Sequence, residues 1–303
     1  MPKKRYALLE NHVIDLFNQY GSFNFEGDTY DVVKTGKPRP IARNGECKTD
    51  VYIRGENSLG ATKELKISIK SRNSAEFLWN KMTPQDGEDA LGPNWKEIIT
   101  TATENISHRF EECYLIYPEF KGSTEADSVT MGWKLEIANK PRNLSAELFL
   151  SEQEIRDIVY RGINQTQQKK DSLVNGDVVP GSGIADYILR TEIEDINSPE
   201  DVLEQMILLD HFTVGSAHLI FTANNYRTQV NSTDGHRWLA VIVEWQLIEG
   251  KLKPSYIYDR PLSKTGSQNK EHVQELLQRF GIQHPSQLDR DKMVYDPTIV
   301  WKR

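Results

Sequence analysis

Cysteine is scarce in this chain: Cys47 and Cys113 are the two, and no C-x-x-C pair occurs. That excludes a disulfide framework and a zinc cage built on cysteine spacing, and a reducing compartment is the default expectation. Long apolar runs are lacking too. No stretch of about 18 apolar residues occurs, so the sequence offers nothing to span a bilayer and a membrane partner is not expected. The basic start, Met1 to Tyr6, runs into a segment carrying Glu10 and Asp15 rather than an unbroken apolar stretch, which is not a secretory pattern. Nucleotide and hydrolase signatures are missing: there is no G-x-S-x-G, phosphate-binding loop or G-x-G-x-x-G. His211, His218 and His236 do not fall at metal-ligand spacing, and His218 reads as a satisfied core histidine in an apolar strand. Positive charge is also in deficit, with 37 Lys and Arg against 44 Asp and Glu, a net charge of −7. Taken alone, that balance argues against a protein that coats nucleic acid.

What is present is material for a full core. The chain has 303 residues, 38% of them hydrophobic, with 10 Phe, 12 Tyr and 6 Trp. That length suits one large domain or two ordinary ones, and the aromatics supply enough apolar area to offset ordering entropy. The charge is also unevenly spread. Between positions 34 and 81 lie eleven basic and five acidic residues, a surplus of six, so the other 255 residues carry −13. An acidic chain owns a basic strip.

Periodicity predicts a helix over Tyr6 to Tyr20, stopped by Gly21, and then a Gly- and Pro-bearing stretch leading to Asp50. Two strand-like runs follow, Asp50 to Arg54 and Glu64 to Lys70, separated by turn formers and read as a hairpin. Further along, the pattern predicts a helix over 94–112, a short strand over 113–117, and a helix over 151–170 opened by the capping pair Ser151 and Glu154. The second half reads as a strand (185–190), a helix (199–209), a strand (218–222), a hairpin turning at Glu249-Gly250, and a closing helix (271–280). The fold class expected is α/β or α+β. One domain over 1–303 is the economical division, with a soft seam near 125–150.

The predicted hairpin carries the one constellation with chemical shape. Side chains alternate along a strand, so Glu64, Lys66, Ser68 and Lys70 share one face while Leu65, Ile67 and Ile69 fill a core on the other. If Arg54 pairs near Glu64 or Leu65, antiparallel counting puts Asp50 opposite Ser68 or Ile69, within reach of Lys70. Glu64 and Lys66 form the alternative acid-x-lysine pair, and register favours Ser68-x-Lys70 over it. A carboxylate at a strand end, with a carbonyl or side-chain oxygen on the next strand, suits hydrated Mg²⁺. A lysine on the same face can polarise the attacking water or offset charge building on a phosphorane. The basic strip would draw in a polyanion.

The run Lys48-Thr49-Asp50-Val51-Tyr52-Ile53, followed by Lys66-Ile67-Ser68-Ile69-Lys70-Ser71, resembles the active-site hairpin of the PD-(D/E)XK nuclease superfamily. More narrowly, it is similar to that of type II restriction endonucleases. The resemblance implies a restriction-endonuclease-like central mixed β-sheet flanked by helices, with a further hairpin and helices in the C-terminal half. It also implies Mg²⁺-dependent hydrolysis of double-stranded DNA at a short specific sequence, in the cytoplasm of a prokaryotic cell. Asp50 matches the metal-binding aspartate and Lys70 the lysine, while Ser68 stands where the family usually has Asp or Glu and Thr49 where it has proline. Glu10 on the first helix resembles the glutamate that many such enzymes bring to the metal. The second metal ligand stays open between Ser68, Glu10, Glu46 and a backbone carbonyl, that of Ile69.

Base reading needs Arg, Asn or Gln at groove edges, and Asn224, Asn225, Arg227 and Gln229 concentrate these types in what reads as a polar loop between strands, running on to Arg237. Lys37, Arg39, Arg43 and Arg72 are the expected phosphate contacts, which position a duplex without specifying sequence. Two-fold symmetric sites are matched by two-fold symmetric proteins, so a homodimer is expected. Two alternatives stand beside the restriction enzyme: a structure-specific or repair nuclease of the same superfamily, and a catalytically silent DNA-binding module on the same fold.

Overall fold

The expected first helix opens the computed structural model, which describes residues 5–41, 45–72, 77–79, 82–229, 234–289 and 294–297. The helices are α1 (Arg5–Tyr20), α2 (Pro84–Leu91), α3 (Trp95–Asn105), α4 (Ser107–Glu111), α5 (Glu152–Glu154), α6 (Gln167–Lys170), α7 (Pro199–Gln205) and α8 (Gly266–Gln278). The strands are β1 (Ser22–Phe25), β2 (Asp28–Gly36), β3 (Val51–Glu56), β4 (Thr62–Ser71), β5 (Phe77–Trp79), β6 (Val129–Ala138) and β7 (Ser145–Leu148). They continue with β8 (Ser172–Val174), β9 (Asp177–Val179), β10 (Tyr187–Thr191), β11 (Met206–Leu208), β12 (Ala217–Tyr226), β13 (Leu239–Ile248) and β14 (Lys251–Ile257). The chain divides into two compact units, Met1–Glu76 with Leu150–Gly215 and Phe77–Phe149 with Ser216–Arg303. The chain crosses between them after Glu76, after Phe149 and after Gly215. The fold is mixed α/β, with curled sheets flanked by helices. Among the described residues no helix is long and apolar enough to cross a membrane.

The first unit is built on a mixed six-stranded sheet ordered β1-β2-β3-β4-β10-β11. Alternation along β3 and β4 sends Val51, Ile53, Leu65, Ile67 and Ile69 to one face, where α1 lays down Leu9, Val13, Leu16 and Phe17 at helical spacing. Each such side chain contributes roughly 1.5–3 kcal/mol on full burial, so the hairpin and α1 are fixed together. The opposite face is not the open polar surface that its charges suggest: Tyr52 and Ser68 are buried there. β4 pairs in parallel with β10, Ser68 opposite Ile188 and Lys70 opposite Arg190.

Several elements differ from the sequence pattern. β1 follows α1 directly, and the Gly- and Pro-bearing stretch before Asp50 contains β2, which pairs with β1 on one side and β3 on the other. The 151–170 helix has its Ser151 capping box, but it passes into a π-helix at Ile155–Arg161, ends at Gly162 and resumes only as α6. The helix expected over 199–209 stops at Gln205, because Met206–Leu208 pairs antiparallel with β10 and tertiary pairing overrides helical periodicity. The strand expected over 113–117 reduces to a single bridge from Ile116 to Val129.

The second unit holds a sheet ordered β14-β13-β6-β12-β7, with β5 also on β6. β6 is buried along almost its whole length, although Val129, Met131, Trp133, Leu135 and Ile137 alternate with Thr130, Gly132, Lys134 and Glu136 as in a half-exposed strand. Gly132 in β6 has φ +141°, and a Cβ there would stand 2.2 Å from the Val241 carbonyl oxygen, which only glycine avoids. The β13–β14 hairpin turns at Glu249-Gly250 as expected, both residues at positive φ. α8 begins five residues earlier than its apolar pattern suggests, behind a Thr265–Gln268 capping box. His218 is only half-buried, and its Nε2 lies 3.0 Å from Ser216 Oγ, so it is not a core histidine.

Candidate active site

The register of the β3–β4 hairpin follows from the turn between its strands. Arg54 lies opposite Glu64 and Val51 opposite Ile67. The Asp50 amide extends the ladder by donating to the Ile67 carbonyl at 2.9 Å, so Asp50 sits beside Ser68, the register that counting favours. Its Oδ2 accepts from the Ile69 amide at 2.7 Å and from Ser68 Oγ at 3.2 Å. Lys70 shares the face of Ser68. Its Nζ lies 3.1 Å from Ser68 Oγ, 3.3 Å from the Ile69 carbonyl oxygen and 3.6 Å from Asp50 Oδ2. Three oxygens from two strands therefore converge on one cationic nitrogen.

A second carboxylate and a second ammonium stand beside this group. β2 ends at Gly36, opposite Tyr52, so Lys37 leaves the sheet next to the start of β3. Lys37 Nζ lies 2.5 Å from Glu10 Oε2, which α1 presents at the edge of its apolar stripe. Glu10 is 7% exposed. Burial raises its carboxyl above the ordinary range, and repulsion from Asp50 adds to the rise, while the hydrogen bond from Lys37 opposes it. Burial alone would lower the Lys37 ammonium, yet the bond to Glu10 and the fields of Asp50 and Glu46 leave it raised. The charges of Asp50 and Glu46 thus both reach the Glu10–Lys37 pair.

The donor set suits a hard cation. The oxygens of Asp50, Ser68 and Ile69 already gather around an ammonium, and the Glu10 carboxylate is held by another, so the oxygens are placed for positive charge. One or two carboxylates, a carbonyl and water are what Mg²⁺ takes. Nitrogen and thiolate ligands are not part of the set: the Cys47 thiol, which donates to the Lys169 carbonyl, is pushed by burial up to about 11 and stays protonated. Among the described residues no group of three or more His, Cys, Asp and Glu side chains is placed to hold a metal. Any metal here therefore leans on hydroxyl, carbonyl and water oxygens beyond its carboxylates.

The alternative pair is engaged elsewhere. Glu64 accepts from the Tyr52 hydroxyl, and Lys66 Nζ lies 2.9 Å from Asp186 Oδ2. Of the expected phosphate contacts, Lys37 is tied to Glu10, Arg72 is exposed with its Nη1 3.3 Å from Asp195, and Arg39 is exposed with its backbone bridged to Leu173. Arg43 lies outside the described residues, as do positions 230–233 of the proposed recognition loop.

That loop is where structure and pattern part most. Asn224 and Asn225 belong to β12 and are buried, not looped out. Asn224 Nδ2 donates to the Asp234 carbonyl at 3.0 Å. Asn225 accepts from Thr130 at 3.1 Å, and its own amides donate to Asp234 Oδ2. Arg227 donates to Glu125 Oε1 at 2.7 Å and Oε2 at 2.8 Å, and to the Ser123 carbonyl. Its hydrogen bonds hold the Glu125 carboxyl down at about 2. These side chains brace the second unit from within, and only Gln229 of the four is exposed. Pattern reading also missed residues near the site. Thr49 Oγ1 and Gln165 Oε1 are buried without a hydrogen-bond partner, and Gln165 Nε2 reaches the Glu46 carbonyl at 3.5 Å. Nothing in the sequence around Gln165 signals that it packs on the segment leading to Asp50.

Comparison of the chain with family models, with curated proteins and with solved structures finds no match in any of the three.

Proposed function

We propose that this protein is a Mg²⁺-dependent endonuclease that hydrolyses phosphodiester bonds in double-stranded DNA, with the first unit as a restriction-endonuclease-like catalytic core. The observation that carries the reading is the convergence of Asp50 Oδ2, Ser68 Oγ and the Ile69 carbonyl on Lys70 Nζ at one end of the sheet. Asp50 and the Ile69 carbonyl are the residues that would hold Mg²⁺, with Glu10 as the nearby second carboxylate. Bound there, the ion supplies charge neutralisation at the scissile phosphate. Lys70 orients the attacking water or offsets negative charge as phosphorus gains its fifth oxygen, and the P–O ester bond then breaks towards its alkoxide. Ser68 holds both Asp50 and Lys70 by hydrogen bonds and so positions them. The basic surplus over 34–81 supports a polyanionic substrate, and the acidic remainder weakens indiscriminate binding. Cleavage at a short specific sequence by a homodimer, in the restriction manner, is the finer form of the proposal.

Digestion of a sequenced plasmid with Mg²⁺, followed by end mapping, tests it. Discrete fragments with a shared end sequence are expected. A smear contradicts the site-specific form, and no cutting with either Mg²⁺ or Mn²⁺ contradicts the nuclease.

A second reading, a silent DNA-binding module on the same fold, is favoured by one observation. Ser68 stands where the resemblance places an acid, and its hydroxyl donates to Asp50 instead of adding a carboxylate. Binding without cleavage under both metals selects it.

A further inference from the structure

The second unit carries an open pocket of about 490 Å³ on its surface, lined by Tyr114, Tyr117, Trp133, Asn143, Phe221 and Ala223 among others. Its floor follows from strand register. Trp133 of β6 lies opposite Ala223 of β12, and Leu135 opposite Phe221, so these side chains share one face of the sheet. Ala223 carries only a methyl group, which leaves that face bare beside the indole. Phe110 of α4 packs edge-on against both Trp133 and Phe221, with ring centroids 5.0 and 5.3 Å away, and fixes the two rings. Tyr114 and Tyr117 form a wall, 5.8 Å apart and tilted at 52°.

This pocket is preformed. Thr130 donates from its hydroxyl to the Tyr114 carbonyl at 3.1 Å and from its amide to the Leu115 carbonyl at 2.7 Å, which pins the wall. The rim at 142–145 is held by Arg109, which donates to the Asn143 and Ser145 carbonyls, and by the Phe221 amide on the Leu144 carbonyl at 3.0 Å. Charge of both signs meets at the mouth, where exposed Glu112 acts on the lining residue Cys113. Lys121 Nζ stands 4.7 Å over the Tyr114 ring, and Arg142 is exposed at the rim. Flat rings inside, an amide at the edge in Asn143, and cations outside match a planar heterocycle carrying an anion. The volume falls within the range of small-ligand sites, about 300–1,000 Å³.

We propose that this pocket binds a single unstacked nucleobase of a DNA strand, with the tyrosine wall as its stacking surface and Lys121 and Arg142 beside its phosphates. Stacking on aromatic rings is tolerant of base identity, and an amide at the rim can read a base edge. The inference deepens the nuclease reading by giving the second unit a part in holding DNA, but its test needs neither metal nor cleavage.

The test is equilibrium binding, by fluorescence anisotropy in EDTA, of a labelled single-stranded tetranucleotide and of its fully abasic counterpart to the full-length Lys70→Ala protein. The intact strand is expected to bind at least roughly tenfold tighter than the abasic one. Adding Tyr114→Ala weakens intact-strand binding roughly tenfold, and Tyr114→Phe, which keeps the ring, restores it to within about twofold. Equal binding of the two strands means anion capture alone and overturns the proposal, as does a folded Tyr114→Ala protein that binds like its parent. Should Tyr114→Ala fail to fold, the abasic comparison decides by itself. A protein that cuts DNA with Mg²⁺ but fails here keeps the nuclease and loses the pocket, and the converse outcome does the reverse.

Discussion

Two polar clusters in this molecule share out their hydrogen bonds in opposite ways. At the end of the β3–β4 hairpin, Asp50, Ser68 and Lys70 make a sparse group in which, among the described residues, the hydrogen bonds to Asp50 fall on Oδ2, with Asp50 and Lys70 half-buried. In the second unit, Asn224, Asn225, Arg227, Glu125 and Asp234 are knitted together so that nearly every donor meets a carbonyl or carboxylate of the same network. A polar group buried with all its partners braces a fold, whereas one left with open valence beside solvent can take a ligand. Polarity of the side chains does not tell these cases apart. Partner geometry does.

Substitutions can break or sharpen this contrast. Asp50→Asn removes the charge on which the proposed metal site rests, and cleavage should fall on the order of a thousandfold, as loss of several kcal/mol of charge stabilisation requires, with the fold intact by circular dichroism. Arg227→Ala acts through stability instead. It leaves Glu125 buried without its cation and with the Ser128 hydroxyl still donating to it at 3.3 Å, and denaturant titration should register a loss of up to about 3–5 kcal/mol. The acid response of that pair has a definite sign. Because folding lowers the Glu125 carboxyl from 4.5 to about 2, its contribution is whole above pH 4.5 and disappears as pH falls towards 2. Glu125→Gln should remove that slope from an acid-unfolding curve.

Smaller effects are expected at the margin of the site. Glu10→Gln should lower cleavage roughly ten- to a hundredfold, the cost typical of a group supporting a metal site. Burial and Asp50 raise the Glu10 carboxyl, so wild-type cleavage should decline with falling pH at a higher pH than an ordinary glutamate would give, and Glu10→Gln should flatten that limb of the pH–rate profile. Arg72→Ala is the mildest. Binding to duplex in Ca²⁺ should weaken for all sequences alike, and the slope of log affinity against log salt should drop by about one.

How much of this was legible beforehand depended on the period of the local pattern. α1 and the β3–β4 hairpin have one apolar and one polar face, so spacing located them, and the turn length between Arg54 and Glu64 set the register that brings Asp50 to Ser68. β6 also alternates, Val129, Met131, Trp133, Leu135 and Ile137 against Thr130, Gly132, Lys134 and Glu136, so its signal was present in the sequence although no strand was expected there. Met206–Leu208 continues a helical pattern and becomes a strand because β10 offers an edge. The pairing of Glu10 with Lys37 joins residues 27 positions apart, and only the packing of α1 on the sheet brings them together. Asn224 and Asn225 were misplaced for a related reason: buried asparagines in a strand are satisfied by Thr130 and Asp234, groups no local window contains.

The central claim is that Lys70, and not its near neighbour on the same face, serves the reacting phosphate. Lys66 is paired with Asp186, while Lys70 stands within 3.6 Å of Asp50, so the two lysines differ in surroundings alone. The direct measurement is plasmid cleavage with Mg²⁺ by wild type, Lys70→Ala and Lys66→Ala side by side, with duplex binding in Ca²⁺ recorded for each. The account predicts that Lys70→Ala loses cleavage by about 10²–10⁴-fold with binding nearly unchanged, and that Lys66→Ala still cuts. An active Lys70→Ala beside an inactive Lys66→Ala, or a wild-type protein that binds duplex and never cuts it, would contradict the account.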